Sequence, residues 1–367
     1  MIPVTKPYLP SREKLNRYID GIYEREWFTN NGPLVRELTW RLEKYLGVEN
    51  LLLVSNGTLA LQVAYRALGI SGSEAPTDAI TTPFTFVATA SSLKWEGVQP
   101  VFADIDSETW CLDPSLIEAA ITKETRAIVP VHVFGNACDV EAIDTIAQRL
   151  NLKVIYDASH AFGVRYKGES LLKYGDAATL SFHATKLFHT IEGGAIVFKS
   201  KKDLKRARQM INFGITGPEV IDELGINAKM NEFQAAMGLS VLDEMEANIV
   251  SRNKVLANYE RELAGLVLLQ KRNNDLSYNT AYFPAVFETE QQAERVTGLL
   301  RENGIQARRY FSPSLETVEA LGKKDDKPVS RDIARRILCL PVYASLNEYE
   351  QKKIIEIIQS MFAMRVE

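Results

Sequence analysis

Apolar residues recur along this chain with two spacings, and the spacing changes with position. Seven short runs are apolar without alternation: residues 51–54, 79–82, 101–105, 127–131, 152–156, 178–182 and 195–198. Such runs predict strands buried on both faces. Helically spaced stretches separate several of them, among them 59–68, 114–120 and 140–150. Strands alternating with helices predict an α/β fold built on a mostly parallel seven-stranded sheet. Ahead of the first strand lie 32 irregular residues with a short helix predicted over 11–25. Pro33 then opens a helix at a favoured first position. Leu34, Leu38, Leu42 and Tyr45 share one face of it, and Gly47 ends it.

Beyond residue 240 the texture shifts. One long helix is predicted over 241–264, then a polar loop over 271–275, a strand over 281–287, and helices over 290–303 and 347–362. This reads as a smaller α+β domain, 241–367, following a large domain, 1–240, that includes the N-terminal arm. The charged run Lys323-Lys324-Asp325-Asp326-Lys327 between Gly322 and Pro328 reads as a solvated loop.

Composition narrows the function classes. The 367 residues carry 43 Lys plus Arg against 47 Asp plus Glu, a net charge of −4. That balance supplies no basic surface for a nucleic-acid backbone. Cys111, Cys138 and Cys339 are too few and too scattered for a disulfide framework or a zinc site, so no metal is expected. Pro3, Lys6 and Pro7 interrupt the N-terminus, and no apolar stretch is long enough to span a membrane. A reducing, cytoplasmic setting is the expectation.

Ligands of α/β sheets sit past the carboxyl ends of the strands. Three groups of reactive residues fall there. Ser55-Asn56-Gly57-Thr58 follows the first strand and starts a helix, either as a plain tight turn or as an anion cradle. Asp157 ends the run before it, either as a helix N-cap or as the partner of a protonated ring nitrogen. His160 stands three residues on, a core histidine or a site residue. Lys186 follows Ser181-Phe182-His183-Ala184-Thr185 and precedes Glu192-Gly193-Gly194. It is either a surface lysine or a partly buried amine fit for Schiff-base chemistry. Anion cradle, acid and lysine in this order, the last two 29 residues apart (186 − 157), are the parts of a pyridoxal phosphate site. Neither a Walker A sequence nor G-x-G-x-x-G occurs.

Further segments carry a resemblance: Trp27 with Asn30-Asn31-Gly32-Pro33-Leu34, Pro83-Phe84-Thr85-Phe86, Pro130-Val131-His132, Asp157-Ala158-Ser159-His160, Asn227-Ala228-Lys229-Met230 and Ala307-Arg308-Arg309-Tyr310. With these in order over essentially its whole length, the chain resembles the DegT/DnrJ/StrS family of sugar aminotransferases, within fold type I of the pyridoxal phosphate enzymes. The resemblance implies pyridoxal 5'-phosphate as cofactor and Lys186 as the residue that carries it and shuttles protons. It implies Asp157 on the pyridinium nitrogen, His160 at the phenolic oxygen and Phe86 on the ring face. Gly57, Thr58 and Ser181 would take the phosphate. Lys229, or Asn227 beside it, would reach the phosphate from the second subunit of a homodimer with shared active sites. His183, His189, Arg308 and Tyr310 are sugar-side candidates, the last two for the diphosphate.

The segment around Lys186 looks like the branch that aminates C4 of the sugar. It implies conversion of dTDP-4-keto-6-deoxyglucose to dTDP-4-amino-4,6-dideoxyglucose with L-glutamate as donor, for O-antigen or related glycan synthesis. The alternatives are another keto sugar nucleotide (a C3 ketone or a different nucleotide) and a cofactor-binding regulator without turnover. The implied partners include no nucleic acid and no membrane.

Overall fold

A computed structural model describes residues 1–277, 280–322 and 325–363; Lys323 and Lys324 of the charged run lie outside the described residues. All seven predicted strands are present: β1 (Leu51–Val54), β2 (Asp78–Thr81), β3 (Gln99–Phe102), β4 (Thr125–Val129), β5 (Lys153–Asp157), β6 (Ala177–Ser181) and β7 (Gly194–Phe198). They form one sheet in the order β1-β7-β6-β5-β4-β2-β3. β7 runs antiparallel to both its neighbours, and every other pair is parallel. β1, β7 and most of β4, β5 and β6 are buried, which is why their sequences are apolar without alternation.

Helices cover the sheet. They are α1 (Arg12–Arg25), α2 (Pro33–Leu46), α3 (Gly57–Ala67), α4 (Val87–Trp95), α5 (Val140–Leu150), α6 (Lys201–Met210) and α7 (Glu232–Leu242). α2 starts at Pro33 and stops at Gly47, whose φ of 66° suits a residue without a side chain. Its first amides are not capped locally. The buried carboxylate of Glu232 accepts from the amides of Leu34 and Val35, both at 2.9 Å. Negative charge at a helix N-terminus is favourable, so residue 232 anchors the start of a helix 198 positions earlier in the chain.

Two helix expectations are corrected. Over 114–120 the chain makes two separate 3₁₀ turns, Pro114–Leu116 and Glu118–Ala120. The predicted long helix 241–264 is broken between α7 and α8 (Met245–Glu262) at Asp243 and Glu244. Both carboxylates are drawn to earlier segments, Asp243 to α2 and Glu244 to the N-terminal arm and α1. Asp243 takes Arg41 at 2.7 Å, and Glu244 takes Tyr8 at 2.9 Å and Lys14 at 3.0 Å.

The C-terminal part adds α9 (Glu290–Glu302), α10 (Pro328–Arg336) and α11 (Glu348–Ala363) around a three-stranded antiparallel sheet, β8 (Leu268–Leu269), β9 (Phe283–Val286) and β10 (Ile337–Leu340). Tyr259, Phe283, Phe287, Val296, Leu300, Ile354 and Ile358 form its core, joined by Ile2 from the start of the chain. No described helix is long and apolar enough to cross a membrane.

Candidate active site

The carboxyl ends of β1, β5 and β6 lie close together because Gly194 in β7 pairs with both Val54 and Ser181. A side chain at 194 would meet the carbonyl oxygen of Asn56 at 2.6 Å, so only glycine permits this approach. Asn56 caps α3 by accepting from the amide of Leu59 at 2.8 Å. The amides of Gly57 and Thr58 thereby point out of the first turn, where a helix has no acceptor for them. Gly57 itself faces Ser181: a Cβ there would stand 2.8 Å from that of Ser181. The first-turn amides of Gly57 and Thr58 thus meet the side chain of Ser181 at a helix N-terminus, where the local dipole favours an anion.

Asp157 ends β5 and is buried. Its Oδ2 accepts from the hydroxyl of Thr89 at 2.7 Å, and its Oδ1 from the amide of Ser159 at 3.1 Å. Thr89 in turn contacts the hydroxyl of Thr85 at 2.9 Å. The carboxylate is therefore held in one orientation at the strand tip, and no ion pair to it is present among the described residues.

His160 is buried among aromatic rings. Phe134 and Phe311 lie parallel to it, with centroids at 6.0 Å and 5.6 Å, and Tyr282 is tilted against it at 4.7 Å. Its Nδ1 accepts from the amide of Phe134 at 3.2 Å, which assigns the remaining ring proton to Nε2. Burial first, and the neighbouring Lys186 charge second, push its pKa well below the ordinary histidine value.

Lys186 follows β6 and enters this cluster. Its Nζ donates to the Tyr282 hydroxyl at 3.3 Å. Burial lowers its pKa from 10.5 to about 8, with Asp157 and then Tyr310 pulling the other way. A large share of its amine is therefore neutral near pH 8, which is the form that attacks a carbonyl or takes a proton.

The other predicted residues are placed as follows. Phe86 precedes α4 and presents its ring 53% exposed, free to cover a planar group. His183 is exposed, bonded to Thr185 at 2.8 Å and 3.7 Å from Glu192. His189 is not brought to the cluster. Its Nε2 contacts the carbonyl of Tyr8 at 2.8 Å, which pins the N-terminal arm, and its Nδ1 accepts from the amide of Ile191 at 3.3 Å within its own loop.

Tyr310 stands 5.9 Å from Tyr282, centroid to centroid, and Arg308 lies 5.0 Å over its ring. Arg309 sits 3.8 Å from both Glu290 and Glu294, whereas Arg308 is exposed with no acidic partner among the described residues. Lys229 bonds Asn212 at 3.0 Å and lies 4.8 Å over Phe213, and Asn227 is exposed. Within one chain neither contacts the cradle. Trp27, Phe28, Phe213, Ile215, Ile221 and Leu224 leave exposed apolar surface.

Sequence reasoning gave no role to Thr89, Ser159, Phe134, Phe311 or Tyr282. The Thr85/Thr89 pair, four apart at a helix start, was the readable signal. Tyr282, 96 residues from Lys186, carried none. No group of three or more His, Cys, Asp or Glu among the described residues is placed to hold a metal.

Comparison with known proteins agrees with this geometry. The model of the DegT/DnrJ/EryC1/StrS aminotransferase family matches residues 11–359. The chain is 42% identical over 366 residues to a dTDP-4-amino-4,6-dideoxy-D-glucose transaminase of Shigella dysenteriae, covering 98% of each. It is 37% identical over 369 residues to a transaminase of the same name from Escherichia coli, covering 97% of this chain and 98% of that one. Among solved structures it is similar to DesI in the presence of its TDP-sugar product. The TM-score is 0.91 at 32% identity, over 98% of this chain and 92% of that one. The fold is the α/β architecture of fold type I aminotransferases.

Proposed function

The chain belongs to the DegT/DnrJ/EryC1/StrS aminotransferase family, and on that premise we propose that it moves the amino group of L-glutamate to C4 of dTDP-4-keto-6-deoxyglucose. The product is dTDP-4-amino-4,6-dideoxyglucose, a precursor for O-antigen or a related glycan. The observation that carries the reading is Lys186: an amine whose pKa burial lowers to about 8, beside a buried carboxylate, a histidine whose pKa burial pushes down, and a helix N-terminus suited to an anion.

These residues fit pyridoxal phosphate. Gly57, Thr58 and Ser181 offer donors for a phosphate where a side chain at 57 would collide with Ser181. Asp157 offers a fixed negative charge to a protonated ring nitrogen, and His160 offers its Nε2 proton to the phenolic oxygen. Phe86 covers the ring. Lys229 or Asn227 completes the phosphate site from a second copy of the chain, the exposed apolar surface around Phe28 and Phe213 forming the homodimer. When bound, the cofactor supplies the electron sink that makes the α-proton of the amino acid acidic.

The chain's own part is positioning and proton transfer. Lys186 would hold the cofactor at rest. Freed when glutamate takes its place, its neutral amine would take the proton from Cα of the donor; water would supply the carbonyl oxygen of the departing 2-oxoglutarate, and the amino group would stay behind with the cofactor. It would then deliver a proton to C4 of the sugar, whose carbonyl oxygen leaves as water. Asp157 would favour a proton on the ring nitrogen by Coulomb attraction in a dry site. Arg308, a cation without an acid, and Tyr310 beside it take the sugar diphosphate. Residues 1–240 act as the cofactor-binding unit and 241–367 as the smaller one. All three cysteines are buried and free, which suits a reducing cytoplasm.

The test is a single turnover. Protein loaded with pyridoxamine phosphate is mixed with dTDP-4-keto-6-deoxyglucose without any amino acid, and the sugar is analysed by NMR. An amine at C4 is expected. An intact C4 ketone with an unchanged cofactor spectrum would overturn the sugar assignment.

A further inference from the structure

The amine of Lys186 is a proton carrier only while it is detached from the cofactor. A detached lysine has four rotatable carbons and a large rotamer entropy, so free Nζ needs a contact that holds it in place. One hydroxyl provides it. Nζ of Lys186 stands 3.3 Å from the phenolic oxygen of Tyr282. A phenol accepts from an ammonium and donates to a neutral amine, so this contact survives both protonation states of the lysine.

Tyr282 is itself mounted from two sides. Its ring is wedged against His160 at 4.7 Å, Phe134 at 5.7 Å and Tyr310 at 5.9 Å. Its backbone is gripped from α8. Arg252, only 2% exposed, donates through Nη1 to the carbonyls of Thr280 and Ala281 at 3.2 Å and 3.3 Å, the two residues before Tyr282. One turn earlier on the same helix, fully buried Asn248 donates to the carbonyl of Leu187 at 2.9 Å, the residue after Lys186.

Two side chains four apart on one helix therefore tie down the segment carrying the amine and the segment carrying the phenol. Arg252 has no carboxylate partner among the described residues, and its Nε is unbonded. A guanidinium withdrawn from water at that expense is unusual for packing alone.

We propose that Tyr282 is the positioning residue for the free Lys186 amine, and that Asn248 and Arg252 of α8 set the separation between the two. The proposal rests on the aminotransferase reading above and adds a residue to the same site. The other titratable groups facing Lys186 are Asp157 at the end of β5, His160 after it, and Tyr310 from the C-terminal part.

Tyr282→Phe tests it, because the variant keeps the ring and its packing and loses only the hydroxyl. In the cofactor-free chain, acetic anhydride labelling of Lys186 is followed against pH by peptide mass spectrometry. The phenol stabilises the ammonium more than the amine, since hydrogen bonds to ions are the stronger. The labelling midpoint, near pH 8 in the wild type, falls in the variant by about one unit. In the holoenzyme kcat falls about tenfold while KM for both substrates stays within about twofold. An unchanged midpoint or an unchanged kcat overturns the proposal while leaving the aminotransferase reading intact. A wild-type chain that forms no 2-oxoglutarate from glutamate, with the midpoint still shifted in the variant, overturns that reading and leaves the contact standing.

Discussion

A buried ammonium should be a measurable burden on the fold, and Lys186→Met removes it at nearly constant volume. Burial lowers the lysine's pKa from 10.5 to about 8. Between those values the unfolded chain binds more protons at this position than the folded one, so the wild type gains stability as pH rises. With each unit equivalent to 1.36 kcal/mol, the penalty is about 3.4 kcal/mol at pH 7 and about 0.8 kcal/mol at pH 10. About 2.5 kcal/mol should be recovered between the two. Other groups titrate over that range, but they are shared by both proteins and cancel in the difference. Urea unfolding of the cofactor-free wild type and of Lys186→Met at pH 7 and pH 10 reads it directly. The variant's advantage should shrink by about 2.5 kcal/mol on going to pH 10. A difference that stays constant to within about 0.5 kcal/mol would mean that the ammonium is not penalised in the fold. The argument for a reactive neutral amine would then fail.

Three other outcomes follow from the same geometry. His160→Gln should resist acid better than the wild type: burial holds the folded imidazole's pKa well below that of the unfolded chain, so the wild type loses stability as pH falls through the ordinary histidine value and the variant does not, a difference that urea unfolding at pH 7.5 and 5.5 would detect. Gly57→Ala places a Cβ 2.8 Å from that of Ser181 and 3.2 Å from its Cα. It should weaken pyridoxal phosphate binding about tenfold or more, read by absorbance titration, and wild-type affinity would remove the cradle. Thr89→Val keeps the shape and deletes the 2.7 Å bond to Asp157, leaving a buried carboxylate short of a donor. A stability loss of about 1.5–3 kcal/mol in urea unfolding, together with a lower kcat, is expected. An unaltered protein would show that Thr89 does not support the acid.

How much of this could be read along the chain depends on the range of the forces involved. The seven strands were legible because strands covered on both faces must be apolar at every position, and that demand is written locally. The start of α2 at Pro33 and its stop at Gly47 were legible because fixed φ and absent Cβ act within one residue. Gly57, Asp157 and Lys186 stood out because reactive residues at strand ends break an otherwise apolar pattern.

What the chain order hides is anything decided by a neighbour from far away. Glu232 caps a helix that begins at Pro33, and Asp243 and Glu244 leave a helical path for earlier segments of the chain. Thr89 reaches Asp157 only because α4 packs over the end of β5. Lys186 owes its lowered pKa to burial, against the opposing pull of Asp157 and Tyr310, and Tyr282 meets it across 96 residues. Sequence alone determined which residues could perform the chemistry, since composition and local backbone preference are carried by each segment. Tertiary structure decided which of them are dry, charged and within reach of one another, because desolvation and hydrogen bonding depend on what surrounds an atom in space.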